Sequence, residues 1–278
     1  MAASLNIVGA GHVGRALGRL FAAHGVFSIQ DVLTRSGGSA QAAVAFIGAG
    51  RAVDAIASLR PASVWMLAVS DDRIADAARQ LAASADIDGA VVFHCSGAKA
   101  SAELEPLRAA GAFIASVHPV RSFADPRQVA DAFDGTFCGV EGDAEALAVL
   151  NPAFAAIGAR VVAIDARAKT VYHAASVFAS NYLTTVLDAA LRAYQAAGIP
   201  EDVARELARP LATETLANVF RLGPETALSG PIARGDAATV ARQQAAVEAW
   251  DPATGALYDA LAAATWDLAR RRNQPRSA

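Results

Sequence analysis

Gly9-Ala10-Gly11-His12-Val13-Gly14 follows the run Leu5-Asn6-Ile7-Val8 and opens a helix-like stretch. At this spacing the first glycine permits a tight turn, the second lets the backbone approach a pyrophosphate, and the third packs helix on strand. The N–H groups at the helix start face the phosphates, so Gly9, Gly11, His12, Val13 and Gly14 are expected to hold a dinucleotide. Where the ribose hydroxyls are free, an acid usually holds them, about 20 residues on at the end of the second strand. Here that strand ends Leu33-Thr34-Arg35-Ser36, and an arginine between two hydroxyls suits a 2′-phosphate. Asp31 lies too early in the strand to meet the ribose. NADP is therefore the expected cofactor, and NAD the less favoured one.

Two further strand ends should line the same crevice, outside the carboxyl ends of a parallel sheet. Ser70 is expected at the ribose or diphosphate, while Asp71 or Asp72 caps the next helix. His94-Cys95-Ser96-Gly97 puts Ser96 where a nicotinamide would lie, and Cys95 reads as a small buried side chain. The run Phe113–Val117 stops at His118-Pro119, because proline ends ladder pairing. His118 is then presented at a strand tip as substrate ligand or proton donor, with Arg121 and Ser122 in reach of an acidic group.

In the helix that begins near Ala168, Lys169, His173, Ser176 and Ser180 share a narrow sector at about 100° per residue. Val171, Val177, Phe178, Leu183, Val186 and Leu187 spread over much of the rest. A mostly apolar helix with one polar stripe predicts burial against several neighbours, the stripe turned to a cavity. Asn181 falls at its edge. Lys169 is the first choice for a proton donor, with His173 sharing the proton or binding substrate and Ser180 and Asn181 orienting it. Near the end of the chain, Asp236 is a good helix cap, and Arg234 is expected to reach the cofactor or a carboxylate.

These residues need a scaffold, and the first half supplies its pattern. Short apolar runs at Leu5–Val8, Ile29–Thr34, Arg51–Val53, Val64–Val69, Val91–His94, Phe113–Val117, Thr136–Val140 and Arg160–Ile164 read as strands alternating with helices such as Val13–His24, Arg73–Ala83 and Ala144–Ile157. This is an α/β chain: an N-terminal Rossmann doubly wound parallel sheet over residues 1–164, then an all-α domain over 165–278. The latter reads as helices Ala168–Ala197, Glu201–Leu222, Ala237–Trp250 and Pro252–Arg272, punctuated by Gly-Pro pairs. Arg270-Arg271-Arg272 and the following Asn273-Gln274-Pro275-Arg276 read as a helix C-terminus and frayed end.

Composition narrows the function class. The 278 residues carry a net charge of −3, which argues against nucleic acid as the main partner. Two cysteines are too few for a disulfide framework and lack metal-ligand spacing, so no metal is expected. Although the mean hydropathy is +0.30, no stretch approaches the roughly 18 uninterrupted apolar residues of a membrane span. With no signal peptide read at the N-terminus, the expected location is cytoplasmic.

Taken in order, Gly-Ala-Gly-His-Val-Gly, His118-Pro119 with Ser122-Phe123, Lys169-x-x-Tyr172-His173, Ser180-Asn181-Tyr182-Leu183 and Gly230-Pro231-Ile232-Ala233-Arg234-Gly235-Asp236 resemble domain-of-unknown-function family 2520. These are Rossmann-like proteins with a helical C-terminal domain in the 6-phosphogluconate dehydrogenase-like superfamily. β-Hydroxyacid dehydrogenases, ketopantoate reductases, pyrroline-5-carboxylate reductases and prephenate dehydrogenases stand alongside. The resemblance implies NAD(P)-dependent hydride transfer at the domain junction and dimers held by helical domains. It also implies an acid/base role for Lys169, although His173 stands where the relatives' asparagine would be. The expected function is an NADP-dependent oxidoreductase acting on a small keto, hydroxy or imino acid. Alternatives are an NADPH-linked reductase of a redox cofactor such as a deazaflavin, and a non-catalytic NADP-sensing protein. The length of the Ala168–Ala197 helix and its apolar faces point to a homodimer through the second domain.

Overall fold

The computed structural model describes residues 2–272. The strands β1 (Ala3–Val8), β2 (Phe27–Leu33), β3 (Arg51–Val53), β4 (Val64–Leu67), β5 (Val91–His94), β6 (Phe113–Pro119), β7 (Phe137–Gly142) and β8 (Arg160–Ala163) form one sheet. Their order is β3-β2-β1-β4-β5-β6-β7-β8. The order reverses between β1 and β4, and the glycine loop follows β1 at that switch point.

The helices of this part are α1 (His12–Ala23), α2 (Gly37–Ile47), α3 (Ile74–Ser84), α4 (Glu105–Ala109), α5 (Pro126–Asp131), α6 (Ala144–Ala156) and α7 (Lys169–Val177). Alternation along the strands sends Val64 and Met66 to one side, beneath Leu17 and Phe21 of α1 and Leu150 and Phe154 of α6. Trp65 and Leu67 go to the other side, against Ile74 and Leu81 of α3. Burial on both faces explains why these strands read as continuous apolar runs.

One pairing departs from the parallel expectation: β6 and β7 are antiparallel. The connection through α5 returns to the end where β6 finished, and the Val120 amide donates to the Phe137 carbonyl at 2.8 Å. Antiparallel neighbours need no crossover. In consequence β6 does not stop before His118, since His118 pairs with Gly139 and Pro119 with Cys138. Alternating donors place the missing N–H of Pro119 on the β5 side, where the ladder has already ended at Ser116.

Asp31 is fully buried and held by Arg51 at 2.9 Å and Arg60 at 2.7 Å. Burial alone would raise its pKa, but the two guanidinium groups hold it at about 2, below the ordinary 3.8. A depressed carboxylate stabilises the fold above the ordinary pKa, and that stability is lost as pH falls through the folded value. Because both arginines are half exposed, Asp31→Asn is expected to cost only about 1–2 kcal/mol at neutral pH. It should also flatten the acid limb of stability between pH 3.8 and about 2. Urea unfolding at several pH values measures both effects.

The chain divides into two compact units, Met1–Ser180 and Asn181–Ala278. The first includes α7. Where the sequence predicts one helix from Ala168 to Ala197, the backbone forms a short 3-10 turn (Ala166–Ala168), then α7, then a π turn (Phe178–Tyr182), then α8 (Leu183–Ala196). On this stretch Val171 is 76% and Phe178 68% exposed in the single chain.

The second unit holds α8, α9 (Glu201–Leu222), α10 (Pro224–Ala227), α11 (Gly230–Ala233), α12 (Ala237–Trp250) and α13 (Pro252–Arg272). Asp236 caps α12 as expected, its carboxylate accepting from the Thr239 amide at 3.0 Å. Arg192 on α8 binds Asp251 at 3.0 Å and Thr254 at 3.1 Å, tying α8 to the start of α13. Among the described residues no helix is long and apolar enough to cross a membrane. The segment after Arg272, read above as a frayed end, lies outside the described residues.

Candidate active site

The glycine loop has the steric features a diphosphate requires. Gly9 takes φ +86°, and a methyl there would lie 2.7 Å from the Ala68 and Val69 backbone. On Gly14 it would lie 2.6 Å from the Gly9 carbonyl, so both glycines are forced by packing. Gly11 differs: no atom lies within 4 Å of the corresponding position. Gly11 starts α1, which has neither a side-chain cap nor an acid in its first turn. Its first N–H groups are therefore available to an anion. Arg15 adds a buried Nε with no hydrogen-bond partner among the described residues. The loop fits a dinucleotide diphosphate. His12 and Val13 contribute backbone only, since the His12 ring lies 2.5 Å from the Phe123 carbonyl and Val13 packs on the core.

At the end of β2, the Thr34 hydroxyl donates to the Ser36 carbonyl at 2.9 Å. The Ser36 hydroxyl caps α2, accepting from the Ser39 amide at 3.3 Å. Both hydroxyls thus shape the turn. Arg35 is exposed, with no ion-pair partner among the described residues.

Around the ends of β5 and β6 the titratable groups converge. Lys169, the first residue of α7, is 1% exposed. Its ammonium donates to the Ser116 hydroxyl and lies 3.6 Å from Glu141 Oε1. The Glu141 carboxylate also accepts the Ser101 amide and hydroxyl, each at 2.7 Å. Burial pulls the Lys169 pKa below the usual lysine value, while Glu141 opposes the shift. Held by a hydroxyl of β6 and a carboxylate of β7, the lysine ties the start of α7 to both strands beneath the site.

His118 and His173 approach each other as rings 5.6 Å apart at 75°. His118 Nδ1 is 3.0 Å from the Tyr172 hydroxyl. Burial, then the His173 and Lys169 charges, lower the His118 pKa to about 4, so its ring is neutral. Behind this pair His94 is also neutral, at about 4 through burial. Its Nδ1 accepts the Ser96 amide at 3.2 Å and Nε2 lies 3.1 Å from the Ala100 carbonyl. Burial of its sulfur raises the Cys95 thiol pKa.

Ser96 stands beside the pair with its hydroxyl committed: it donates to Asp71 at 2.8 Å and accepts from the Lys99 amide at 3.0 Å. It holds the turn after β5 in place and has no proton left to give. Asp71 is therefore corrected from helix cap to Ser96 acceptor, and exposed Ser70 takes the cap position of the turn Asp71–Arg73. The Arg121 Nη1 binds the Ala132 carbonyl and the Thr136 hydroxyl, which anchors a loop. Ser122 is exposed on the same loop.

Ser180 lies in the π turn, whose wider pitch breaks the count of about 100° per residue that grouped it with Lys169 and His173. Asn181 and Arg234 belong to the second unit. There the Asn181 carbonyl accepts from the Thr185 hydroxyl at 3.3 Å, and Arg234 closes α11 exposed. Sequence reasoning missed Glu141, Ser116 and the role of Tyr172. Two had a signal: Glu141 is an acid inside an apolar strand, and Ser116 a hydroxyl inside another.

The comparisons agree with this architecture. A Rossmann-like domain model matches residues 2–119 and a model described as Domain of unknown function (DUF2520) matches residues 136–265. The first part of the chain is thus similar to Rossmann-like domains and the later part to the DUF2520 family. No curated protein matches it. A structure from Bacteroides fragilis, provisionally assigned as an NADP oxidoreductase, superposes with a TM-score of 0.79 at 22% identity, covering 96% of this chain and 98% of the other. Protein TM1727 from Thermotoga maritima follows at 0.75 and 25% identity, covering 97% and 100%. The pyrroline-5-carboxylate reductase of Coxiella burnetii gives 0.61 at 15%, covering 99% and 100%. At such identities the likeness is one of fold.

Proposed function

We propose that the protein is an NADP-dependent oxidoreductase that moves a hydride between the nicotinamide and a small keto, hydroxy or imino acid. The observation that carries this reading is one end of the sheet serving two needs. A phosphate-ready glycine loop follows β1, and a cluster of histidines with a buried Lys-Glu pair gathers at the ends of β5 and β6. A protein that only sensed the nucleotide would have no evident need for that cluster. The names of the Bacteroides and Coxiella relatives accord with the reading. When bound, NADPH supplies the hydride. The chain's residues hold its diphosphate at Gly9–Gly14 and furnish protons and hydrogen bonds beside Gly97. The test is loss of NADPH absorbance with a panel of 2-oxo acids, hydroxy acids and cyclic imines. No turnover with any of them, despite tight NADPH binding, would favour a sensor.

NADPH is expected to bind more tightly than NADH, with Arg35 meeting the 2′-phosphate. Losing a charge-assisted contact costs about 1.5–3 kcal/mol, or roughly ten- to a hundredfold in affinity. Arg35→Asp should weaken NADPH by that factor and leave NADH unchanged or improved. Titrating both nucleotides against both proteins decides it; equal wild-type affinities speak against the idea.

A homodimer through the second unit belongs to the same reading. Phe220 is 87% and Leu211 60% exposed on α9, with Leu207 at 46%. Such apolar area is normally covered in solution, most simply by a twofold copy. Light scattering at micromolar concentration should give twice the 28.5 kDa chain mass, and a monomer would refute it.

A further inference from the structure

Gly97, at the turn after β5, stands between two imidazoles. A methyl on it would lie 2.3 Å from His173 Nδ1 and 2.7 Å from His118 Nε2. Two nitrogens that close to one point are no more than about 5 Å apart, a separation that one oxygen spans with a hydrogen bond to each. His173 Nδ1 is buried and has no hydrogen-bond partner among the described residues. A buried ring nitrogen left unpaired calls for a ligand atom or a water.

We propose that His118 and His173 form one acid–base pair that brackets the reacting oxygen of a carbonyl or carbinol substrate beside Gly97, with Lys169 as a positioning residue. The proposal rests on the oxidoreductase reading and narrows its substrate to keto and hydroxy compounds.

The roles follow from the hydrogen-bond network. The Tyr172 hydroxyl lies 3.0 Å from His118 Nδ1 and is assigned as its donor. The neutral His118 ring then carries its proton on Nε2, facing Gly97. That proton stays put through the reaction as a hydrogen bond to the substrate oxygen. His173 is the partner that changes. In reduction the carbonyl carbon takes the hydride and its electron pair, NADPH becomes NADP+, and the oxygen takes the proton from protonated His173 Nδ1. His173 ends neutral and is reprotonated from solvent. In oxidation the carbinol O–H gives its proton back to His173 as the hydride leaves.

An iminium substrate fits this pair badly. Its nitrogen already bears a proton and has no lone pair to accept the His118 N–H, which would face it unpaired. A carbonyl oxygen accepts from both rings.

The groups facing His118 are His173, Lys169 and Tyr172 from α7, with Asp71 from the turn after β4. Burial, and after it the charges of His173 and Lys169, keep His118 neutral, and Asp71 opposes them. Lys169 also fixes Ser116 in β6 and Glu141 in β7, the strands beneath the pair.

Nitrogen-15 NMR of the histidine rings in the intact, nucleotide-free protein tests the pair. The expected result is His118 as the Nε2–H tautomer, with a protonation midpoint that rises by about one pH unit in His173→Asn as the like charge is removed. Tyr172→Phe, which deletes the hydrogen bond to Nδ1, should instead shift His118 toward a mixture of tautomers. A His118 midpoint indifferent to His173→Asn, or a proton on Nδ1 in the wild type, overturns the pair. In turnover with NADPH, 2-oxo acids should be used at least tenfold faster than 1-pyrroline carboxylates, and the reverse preference overturns the substrate class. NADPH titration keeps the two readings apart. Coupled rings without NADPH binding sink the oxidoreductase reading, whereas NADPH binding with uncoupled rings sinks the pair.

Discussion

Lys169→Met is expected to destabilise the protein by about 3–5 kcal/mol, because it leaves a carboxylate buried without its cation. Glu141 is 7% exposed, and after the substitution only the Ser101 amide and hydroxyl would face its charge. The ammonium also donates to Ser116, whose hydroxyl would lose that donor. Methionine matches the lysine stem in length, so packing is largely kept and the electrostatic loss dominates. Taking about 3 kcal/mol, the unfolding midpoint should fall by roughly 6–12 °C. The double variant Lys169→Met/Glu141→Gln should recover most of the loss, since a neutral amide can keep the Ser101 bonds without an orphaned charge. A double-mutant cycle by thermal unfolding reads the coupling directly. If Lys169→Met were as stable as the wild type, the pair would contribute nothing, and the lysine would again be a candidate for a chemical role.

Much of this was legible because the relevant signals are local. The run from Val64, the Gly-x-Gly-x-x-Gly and the strand end at His94 all sit where short-range pattern places them. Glu201–Leu222, Ala237–Trp250 and Pro252–Arg272 are helices with the limits their Gly and Pro punctuation implies. What escaped depends on partners distant in sequence. Periodicity puts Lys169 and His173 on one stripe but does not reveal that Ser116 and Glu141, on two different strands, wait at the end of the lysine. Likewise nothing around Arg121 indicates that Ala132 and Thr136 take its guanidinium. The antiparallel turn of β7 was hidden because apolar runs carry no sign of direction. The π turn at Phe178–Tyr182 was hidden too, since one widened turn leaves the surrounding helical pattern intact.

Gly9→Ala and Gly11→Ala are expected to differ sharply although they lie two residues apart. At Gly9 an alanine must adopt φ +86° with its methyl 2.7 Å from the Ala68 backbone, which cannot swing aside as a side chain would. Strain and overpacking together should cost about 3 kcal/mol or more, and nucleotide binding should be lost with them. At Gly11 the methyl enters open space, so stability should stay within about 0.5 kcal/mol of wild type. The same methyl occupies the space a diphosphate needs, and NADPH affinity should drop at least tenfold, about 1.4 kcal/mol. NADPH titration of wild type and Gly11→Ala, with thermal unfolding of both, is therefore the most direct test that a dinucleotide sits on this loop. The expected result is tight binding in the wild type, at least tenfold weaker binding in Gly11→Ala, and equal unfolding midpoints without nucleotide. Equal NADPH affinity in the two proteins, or no binding to the wild type, would contradict it.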